Sequence, residues 1–312
     1  MSRVAVLKGG RSLERQVSLH SGARVEGALR RLGHSVSEVD VGPDLLDRLA
    51  AERPDVAFIA LHGRDGEDGA VQELLEVLGI PYTGSRVSAC VRASDKVLAK
   101  HAMRDAGIPT PDFFTLRETA FRALGAAQAL PAISARLGFP LVVKPARQGS
   151  ALGIKFARSD ADLPAALVAA FSYDHKVLLE RYVAGRELAV SVLADGGMAR
   201  ALPIVEAVPE ADSFYDFESR YEIGRARFIC PAAVDQALGT RVAQLAVDAF
   251  ELLGCAVFAR VDLMLDAETL EPYVLEVNPV PGLTETSLLP QATDAAEIGF
   301  DELIARILAA AV

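Results

Sequence analysis

Two segments near the C-terminus set charge in an apolar run. Ala259-Arg260-Val261-Asp262-Leu263-Met264 reads as a buried strand, and so does Leu275-Glu276-Val277-Asn278, which runs into Pro279-Val280-Pro281-Gly282. Residues two apart in a strand share a face, roughly 7 Å from one another. Arg260 and Asp262 therefore lie on one face, as do Glu276 and Asn278. If the strands are neighbours, a guanidinium, two carboxylates and an amide converge on one patch. That density of oxygen donors suits a hard cation such as Mg²⁺, which ordinarily also coordinates substrate phosphates. Two surface strands with charged outer faces are the plainer account. Against it, these are the only charges within the two runs.

A second constellation runs Lys144-Pro145-Ala146-Arg147-Gln148-Gly149-Ser150-Ala151-Leu152-Gly153, between two expected strands. Gly149 and Gly153 would let the backbone approach an anion, and Lys144 would supply a point charge to phosphate. The spacing matches neither a Walker A loop nor a dinucleotide fingerprint. A glycine hairpin without a ligand looks the same. Joined to Lys96 and the carboxylates, however, the loop reads as a nucleotide-phosphate site. Lys176–Val183 reads as a strand leading into a linker, whose edge could offer main-chain groups to adenine while Glu187 takes the ribose hydroxyls. Charged residues at a strand terminus account for it equally well.

The elements needed to position these residues are legible in outline. Strands at Val4–Leu7, Ser35–Val41 and Val56–Leu61 alternate with helices at Glu14–Leu32, Asp44–Ala51 and Val71–Leu78. This βαβα pattern predicts a parallel sheet with helices on both faces and ligands beyond the strands' carboxyl ends, where Lys8-Gly9-Gly10 and His62-Gly63-Arg64 fall. A helix from Lys96 to Ala106, a short strand, a helix, and strands at Pro140–Lys144 and Gly153–Phe156 suggest a small α+β unit. Strands at Glu187–Leu193 and Leu202–Val208, a helix at Val234–Leu253, the two charged strands and a helix at Asp301–Ala311 complete the chain. The polar, aromatic stretch Pro209–Gly224 lacks periodicity and reads as a long functional loop, a lid over the substrate.

The chain has 312 residues, enough for two or three domains, and half of them are hydrophobic. A net charge of −10 argues against a nucleic-acid surface. Three widely spaced cysteines, Cys90, Cys230 and Cys255, suggest reduced thiols. No signal peptide or apolar run of membrane-spanning length is expected, so a cytoplasmic location and no membrane partner are expected.

Ordered motifs along nearly the whole chain resemble the D-alanine–D-alanine ligase family of ATP-grasp carboxylate–amine ligases. They are Gly9-Gly10-Arg11-Ser12-Leu13-Glu14-Arg15-Gln16-Val17-Ser18, Leu61–Gly69, Gly79–Ser85, Asp95-Lys96, Val143-Lys144-Pro145, Gly149-Ser150, Phe214–Glu218 with Tyr221, Arg260-Val261-Asp262, and Glu276-Val277-Asn278 with Pro281-Gly282. The resemblance implies an α/β and α+β ATP-grasp fold behind an N-terminal parallel-sheet domain, divided at 1–93, 94–183 and 184–312. It implies ATP-dependent joining of two D-alanines through an acyl phosphate, for peptidoglycan precursor synthesis, by a homodimer.

The implied roles follow motif by motif. Lys96, Lys144, Gly149 and Ser150 face the nucleotide phosphates. Glu180, Arg181 and Val183 match the adenine hinge, and Glu187 the ribose carboxylate. Asp262, Glu276 and Asn278 would hold two Mg²⁺ ions, with Mn²⁺ able to substitute. Arg260 and the N–H of Gly282 would stabilise the oxyanion. Glu14 matches the partner of the first substrate's ammonium, linked through Ser150 and Tyr221 to the loop. His62 and Arg220 fall on the substrate side, and Ser287 and Leu288 match the second substrate's carboxylate pocket. Arg220 stands where the family usually has Lys, Pro279-Val280 where Thr and a small residue are typical, and Gln148 where an acid is common. A ligase taking D-serine or D-lactate as second substrate would share these motifs. So would a nucleotide-binding regulator without turnover.

Overall fold

The structure, a computed structural model, describes residues 1–209 and 226–311. It begins with β1 (Arg3–Lys8), α1 (Arg15–Arg31), β2 (Ser35–Asp40), α2 (Leu45–Glu52), β3 (Val56–Ile59) and α3 (Ala70–Leu78). The three strands form a parallel sheet in the order β2-β1-β3. Alternation along the strands divides two cores. Val4, Val6, Val56 and Phe58 face α1 and the C-terminal helix, whereas Ala5, Leu7, Ala57 and Ile59 face Leu45, Leu49 and Leu75. Helices therefore cover both faces, as the βαβα pattern requires.

Next come α4 (Val87–Ser94) and α5 (Lys96–Asp105), then β4 (Phe113–Arg117), α6 (Glu118–Ala123), α7 (Leu130–Leu137), β5 (Leu141–Pro145), β6 (Lys155–Ala157), α8 (Leu163–Phe171) and β7 (Lys176–Arg181). The four strands form an antiparallel sheet in the order β4-β7-β5-β6, with α7 and α8 in its core. A third sheet contains β8 (Gly185–Asp195), β9 (Met198–Ala201), β10 (Val205–Pro209), β11 (Ala226–Ile229), β12 (Phe258–Asp266) and β13 (Pro272–Asn278). Its order is β11-β10-β8-β12-β13, and β9 also pairs with β8. Helix α9 (Gln236–Leu253) packs on this sheet, and α10 (Leu288–Ala295) and α11 (Phe300–Ala309) close the chain. Ala99 and Met103 of α5 join the same core, which ties that helix to the large sheet.

Several elements depart from the sequence expectations. Helices α4 and α8 are unanticipated, because α4 is short and α8, Leu-Pro-Ala-Ala-Leu-Val-Ala-Ala-Phe, is apolar all round and shows no stripe. The expected strand at Leu202–Val208 starts only at Val205, and the preceding β9 arises from a tight turn at Gly196-Gly197, both with positive φ. The expected lid, Pro209–Gly224, lies outside the described residues apart from its first residue, and Arg220 and Tyr221 lie outside with it. Among the described residues no helix is long and apolar enough to cross a membrane.

Candidate functional site

The two charged strands are antiparallel neighbours, with Arg260 opposite Asn278 and Asp262 opposite Glu276. Their register changes just after Asp262, where Leu263 faces Val274. Such a bulge re-aims side chains at a strand end. The Arg260 guanidinium grips Asp262 through two hydrogen bonds of 2.6 and 2.8 Å, a bidentate fork that fixes the carboxylate. Glu276 pairs with Lys96 at 2.8 Å. The Asn278 Oδ1 accepts the N–H of Val280 at 3.0 Å, so this amide also stiffens the turn beyond Pro279.

Lys96 owes its place to helix α5. Asp95 caps that helix, accepting the N–H groups of Val97 and Leu98 and pairing with Lys176 of β7. Lys96 is the first helical residue, and its Nζ also donates to the carbonyl of Gln148 at 2.8 Å. Burial disfavours its charge, but the carboxylates of Glu276, Glu67 and Glu14 outweigh that and hold its pKa above the usual lysine value. Lys144, near the end of β5, donates to Glu180 of β7 at 2.6 Å. Burial alone would raise the pKa of Glu180, yet Lys100 and Lys144 hold it below the ordinary carboxylate value.

These groups line one branched cleft. One arm is lined by Lys144, Glu180, Arg181 and Val183 from the four-stranded sheet and the segment after it, and by Glu187, Asp262 and Glu276 from the large sheet. The wider arm meets Gly149, Ser150, Glu67, Arg260 and Asn278. Lys96, Gln148 and Glu276 line both arms and mark their junction. An elongated ligand with charge near its middle fits this shape. Two carboxylates and an amide oxygen on paired strands suit a hard divalent cation, with remaining positions left to phosphate oxygens and water. Among the described residues no group of three or more His, Cys, Asp or Glu side chains gathers as a metal cluster.

Glu14 precedes α1 and is buried, and the Ser150 hydroxyl donates to its Oε1. Ser150 and Ala151 take positive φ values of 52° and 58°, a costly conformation for side-chain-bearing residues. The loop glycines also meet close protein neighbours. A Cβ at Gly149 would sit 2.8 Å from Glu14 Oε2, and one at Gly153 would meet Tyr173 and Pro145. Both glycines are thus required by neighbouring protein groups. Glu67, absent from the sequence-based selection although its motif was noted, lines the wider arm, and burial and then the charge of Glu14 raise its pKa to about 8.

His62 is buried behind the cleft. Its Nδ1 lies 3.0 Å from the carbonyl of Val280 and its Nε2 2.9 Å from Ser21 Oγ. A carbonyl only accepts, so the proton sits on Nδ1, and Nε2 accepts from Ser21. Ser21 in turn accepts the N–H of Leu283 at 3.1 Å. Burial lowers the His62 pKa to about 4, so the ring is neutral near pH 7 and both nitrogens clamp the loop that carries Gly282. Gly282 lies against Ser287, since a Cβ there would be 2.6 Å from Ser287 Oγ. That hydroxyl also accepts the N–H of Thr284 at 3.0 Å. Leu288 packs in a core with Ala189, Val205 and Ala292.

Comparison with known proteins gives a consistent result. Residues 102–309 match the family model described as D-ala D-ala ligase C-terminus, and residues 45–85 match D-ala D-ala ligase N-terminus. The chain is 46% identical over 309 residues to a D-alanine--D-alanine ligase of Syntrophotalea carbinolica, covering 99% of this chain and 96% of that protein. It is 42% identical over 311 residues to that of Geobacter sulfurreducens, covering 99% and 94%. A crystal structure of D-alanine--D-alanine ligase from Bacillus anthracis complexed with ATP superposes with a TM-score of 0.82 at 33% identity, covering 99% of this chain and 97% of that one.

Proposed function

The chain belongs to the D-alanine–D-alanine ligase family, and we propose that it joins two D-alanines at the expense of ATP, releasing D-alanyl-D-alanine, ADP and phosphate for peptidoglycan precursor synthesis. The observation that carries this reading is the branched cleft with Lys96 and Glu276 at its junction, which suits a triphosphate in one arm and two small amino acids in the other.

The chemistry needs charge placed in advance more than covalent help. A carboxylate oxygen of the first D-alanine attacks the γ-phosphorus, and the bond to the β-phosphate oxygen breaks. The amine of the second D-alanine then attacks the acyl carbon. The resulting tetrahedral centre expels phosphate, and the amine gives up its proton. Lys96 and Lys144 neutralise phosphate charge. Arg260, with the N–H of Gly282, meets the oxygen that becomes anionic. Glu14, held by Ser150, receives the first substrate's ammonium. Glu180, Arg181 and Val183 border adenine, and Glu187 takes the ribose. Ser287 receives the second carboxylate, while His62 and Leu288 act from behind, one by clamping the loop and the other by packing under it. Arg220 and Tyr221 are assigned to the substrate side by their motif alone. Asp262, Glu276 and Asn278 would hold two Mg²⁺ ions, replaceable by Mn²⁺, which draw charge from the phosphate oxygens. On this reading the chain divides into functional units at 1–93, 94–183 and 184–312 and acts as a cytoplasmic homodimer.

The test is phosphate release from ATP with and without D-alanine, with products identified by mass spectrometry when D-alanine, D-serine, D-lactate and L-alanine compete. D-alanine-dependent release with D-alanyl-D-alanine as main product is expected. Release that ignores D-alanine would refute the assignment.

A further inference from the structure

We propose that Lys100 is a positioning residue that makes the cleft selective for adenine, by holding Glu180 as an ionised acceptor when Lys144 turns to the phosphates. The proposal rests on the nucleotide assignment made above for the narrower arm. Lys100 lies four residues after Lys96 and so shares its face of α5. Their destinations differ. Lys96 lines the cleft, whereas Lys100 is fully buried behind it, with no exposed surface. Its ammonium forms an ion pair with Glu180 Oε2 at 2.6 Å, donates to the hydroxyl of Thr110, and lies 5.1 Å from the centre of the Phe113 ring. Thr110 donates onward at 2.7 Å to the carbonyl of Val274 in β13, which fixes the acceptor end of this chain of contacts.

Glu180 is thus bracketed, with Lys144 on Oε1 and Lys100 on Oε2. A buried carboxylate with two cations leaves one positive charge over. Of these two cations, Lys144 lines the cleft wall and can serve a phosphate, whereas Lys100 does not. Once it does, Oε1 is released to accept a hydrogen bond from a ligand. The 6-amino group of adenine is a donor there; the 6-oxo group of guanine is not. Without Lys100, Glu180 would have either to protonate or to keep Lys144, because an unpaired buried charge is costly. Protonation replaces the charged acceptor by a weaker neutral one, and keeping Lys144 occupies it. An i, i+4 lysine pair on a helix ordinarily repels itself. Here separate carboxylates, Glu276 and Glu180, divide the pair between two tasks.

The experiment compares equilibrium binding of ATP and of purine riboside 5′-triphosphate, which lacks only the 6-amino group, in the wild type and in Lys100→Met. The wild type is expected to prefer ATP roughly tenfold or more, the worth of one charge-assisted hydrogen bond. In Lys100→Met the preference should shrink to within about threefold, with KM for ATP rising more than kcat falls and KM for D-alanine nearly unchanged. Thr110→Val, which removes the hydroxyl anchor while leaving the ion pair, should reduce the preference partially, and Thr110→Ser should restore it. If Lys100→Met does not fold, the Thr110 pair decides. An unchanged ATP preference in the folded variants overturns the proposal, as does equal weakening of both nucleotides. A wild type that prefers ATP but shows no D-alanine-dependent turnover would refute the ligase assignment and leave the Lys100 proposal standing.

Discussion

At the scale of single residues, three carboxylates of the cleft, Asp262, Glu276 and Glu180, are already matched to cations. Glu276 makes the point most directly. It pairs with Lys96 at the junction of the two arms and sits opposite Asp262. Glu276→Gln keeps the shape and removes the charge, so Lys96 loses its counter-ion and the proposed cation site loses a ligand. Turnover is expected to fall by about a thousandfold or more, several kcal/mol of transition-state stabilisation, with little change in melting temperature. Turnover near the wild-type rate would take Glu276 out of the machinery. Gly149→Ala tests a different contact. The added methyl would press on the Glu14 carboxylate at 2.8 Å, and that loop backbone has no slack beside the positive-φ Ser150. The KM for D-alanine at the first site should rise by about tenfold, with the KM for ATP nearly constant, as read from steady-state kinetics with each substrate varied. An equal change in both would mean that the loop, not Glu14, was disturbed.

Titration adds a residue-scale expectation. Burial lowers the Lys100 pKa to about 8, opposed by Glu180 and Asp112 and reinforced by the neighbouring charge of Lys144. As pH rises through about 8 the ammonium becomes neutral and Glu180 loses the counter-ion behind it. ATP affinity should therefore be constant at lower pH and decline above about 8. The purine riboside analogue should be less affected, because it makes no bond to Glu180. The measurement is a binding isotherm at each pH from 6.5 to 9.5. A parallel decline for both nucleotides would assign the pH effect to another group.

At the scale of elements, α5 sets both lysines. Its N-terminus is held by the Asp95 cap, and the same carboxylate ties the helix to β7 through Lys176. Asp95→Ala removes both, at an expected cost of about 1–2 kcal/mol, together with a higher KM for ATP because Lys96 starts the helix. Asp95→Ser keeps the cap and loses the ion pair, so it should recover most of the stability. Chemical denaturation of the two variants distinguishes the contributions; equal losses would show that the ion pair, not the cap, holds the helix. The legibility of the elements follows the same physics. Strands β12 and β13 could be read because charges inside apolar runs are rare, and their pairing brought Arg260, Asp262, Glu276 and Asn278 together as expected. Helix α8 could not be read, since its exposed positions Pro164, Ala165 and Val168 are as apolar as the buried face of Leu163, Ala166, Leu167 and Ala170, which erases the periodicity. Lys100 was invisible for another reason. In sequence it is an ordinary helix lysine, and only the approach of β7 from the neighbouring sheet gives it a partner. The motif sets His62 on the substrate side, and nothing local in sequence reveals that Val280 and Ser21 occupy its two nitrogens.

At the scale of the whole molecule, the cleft exists only where the chain's parts meet. Ser12 and Glu67 come from the parallel-sheet region, Lys144 and Ser150 from the four-stranded sheet and its loop, and Arg260, Asp262 and Glu276 from the large sheet. An apolar core with Phe58, Phe258 and Leu289 already joins the parallel-sheet region to the large sheet, whereas the bonds at the cleft itself, such as Ser150 to Glu14 and Lys96 to Glu276, are polar. A ligand spanning the cleft therefore adds cross-links that the protein lacks by itself, and it stabilises the native state by an amount set by its concentration relative to Kd. AMP, confined to the arm with Glu180 and Glu187, should raise the melting temperature least. A non-hydrolysable ATP analogue with Mg²⁺ should raise it more, by several degrees at about a hundredfold excess over Kd, where linkage gives about 2.7 kcal/mol. D-alanine added to that complex should raise it again, because it adds contacts across the second arm. Differential scanning calorimetry at matched saturation gives the order directly. Equal shifts for AMP and the triphosphate would mean that the Lys96–Glu276 junction does not receive phosphate, and a D-alanine shift independent of nucleotide would mean that the two arms do not act as one site.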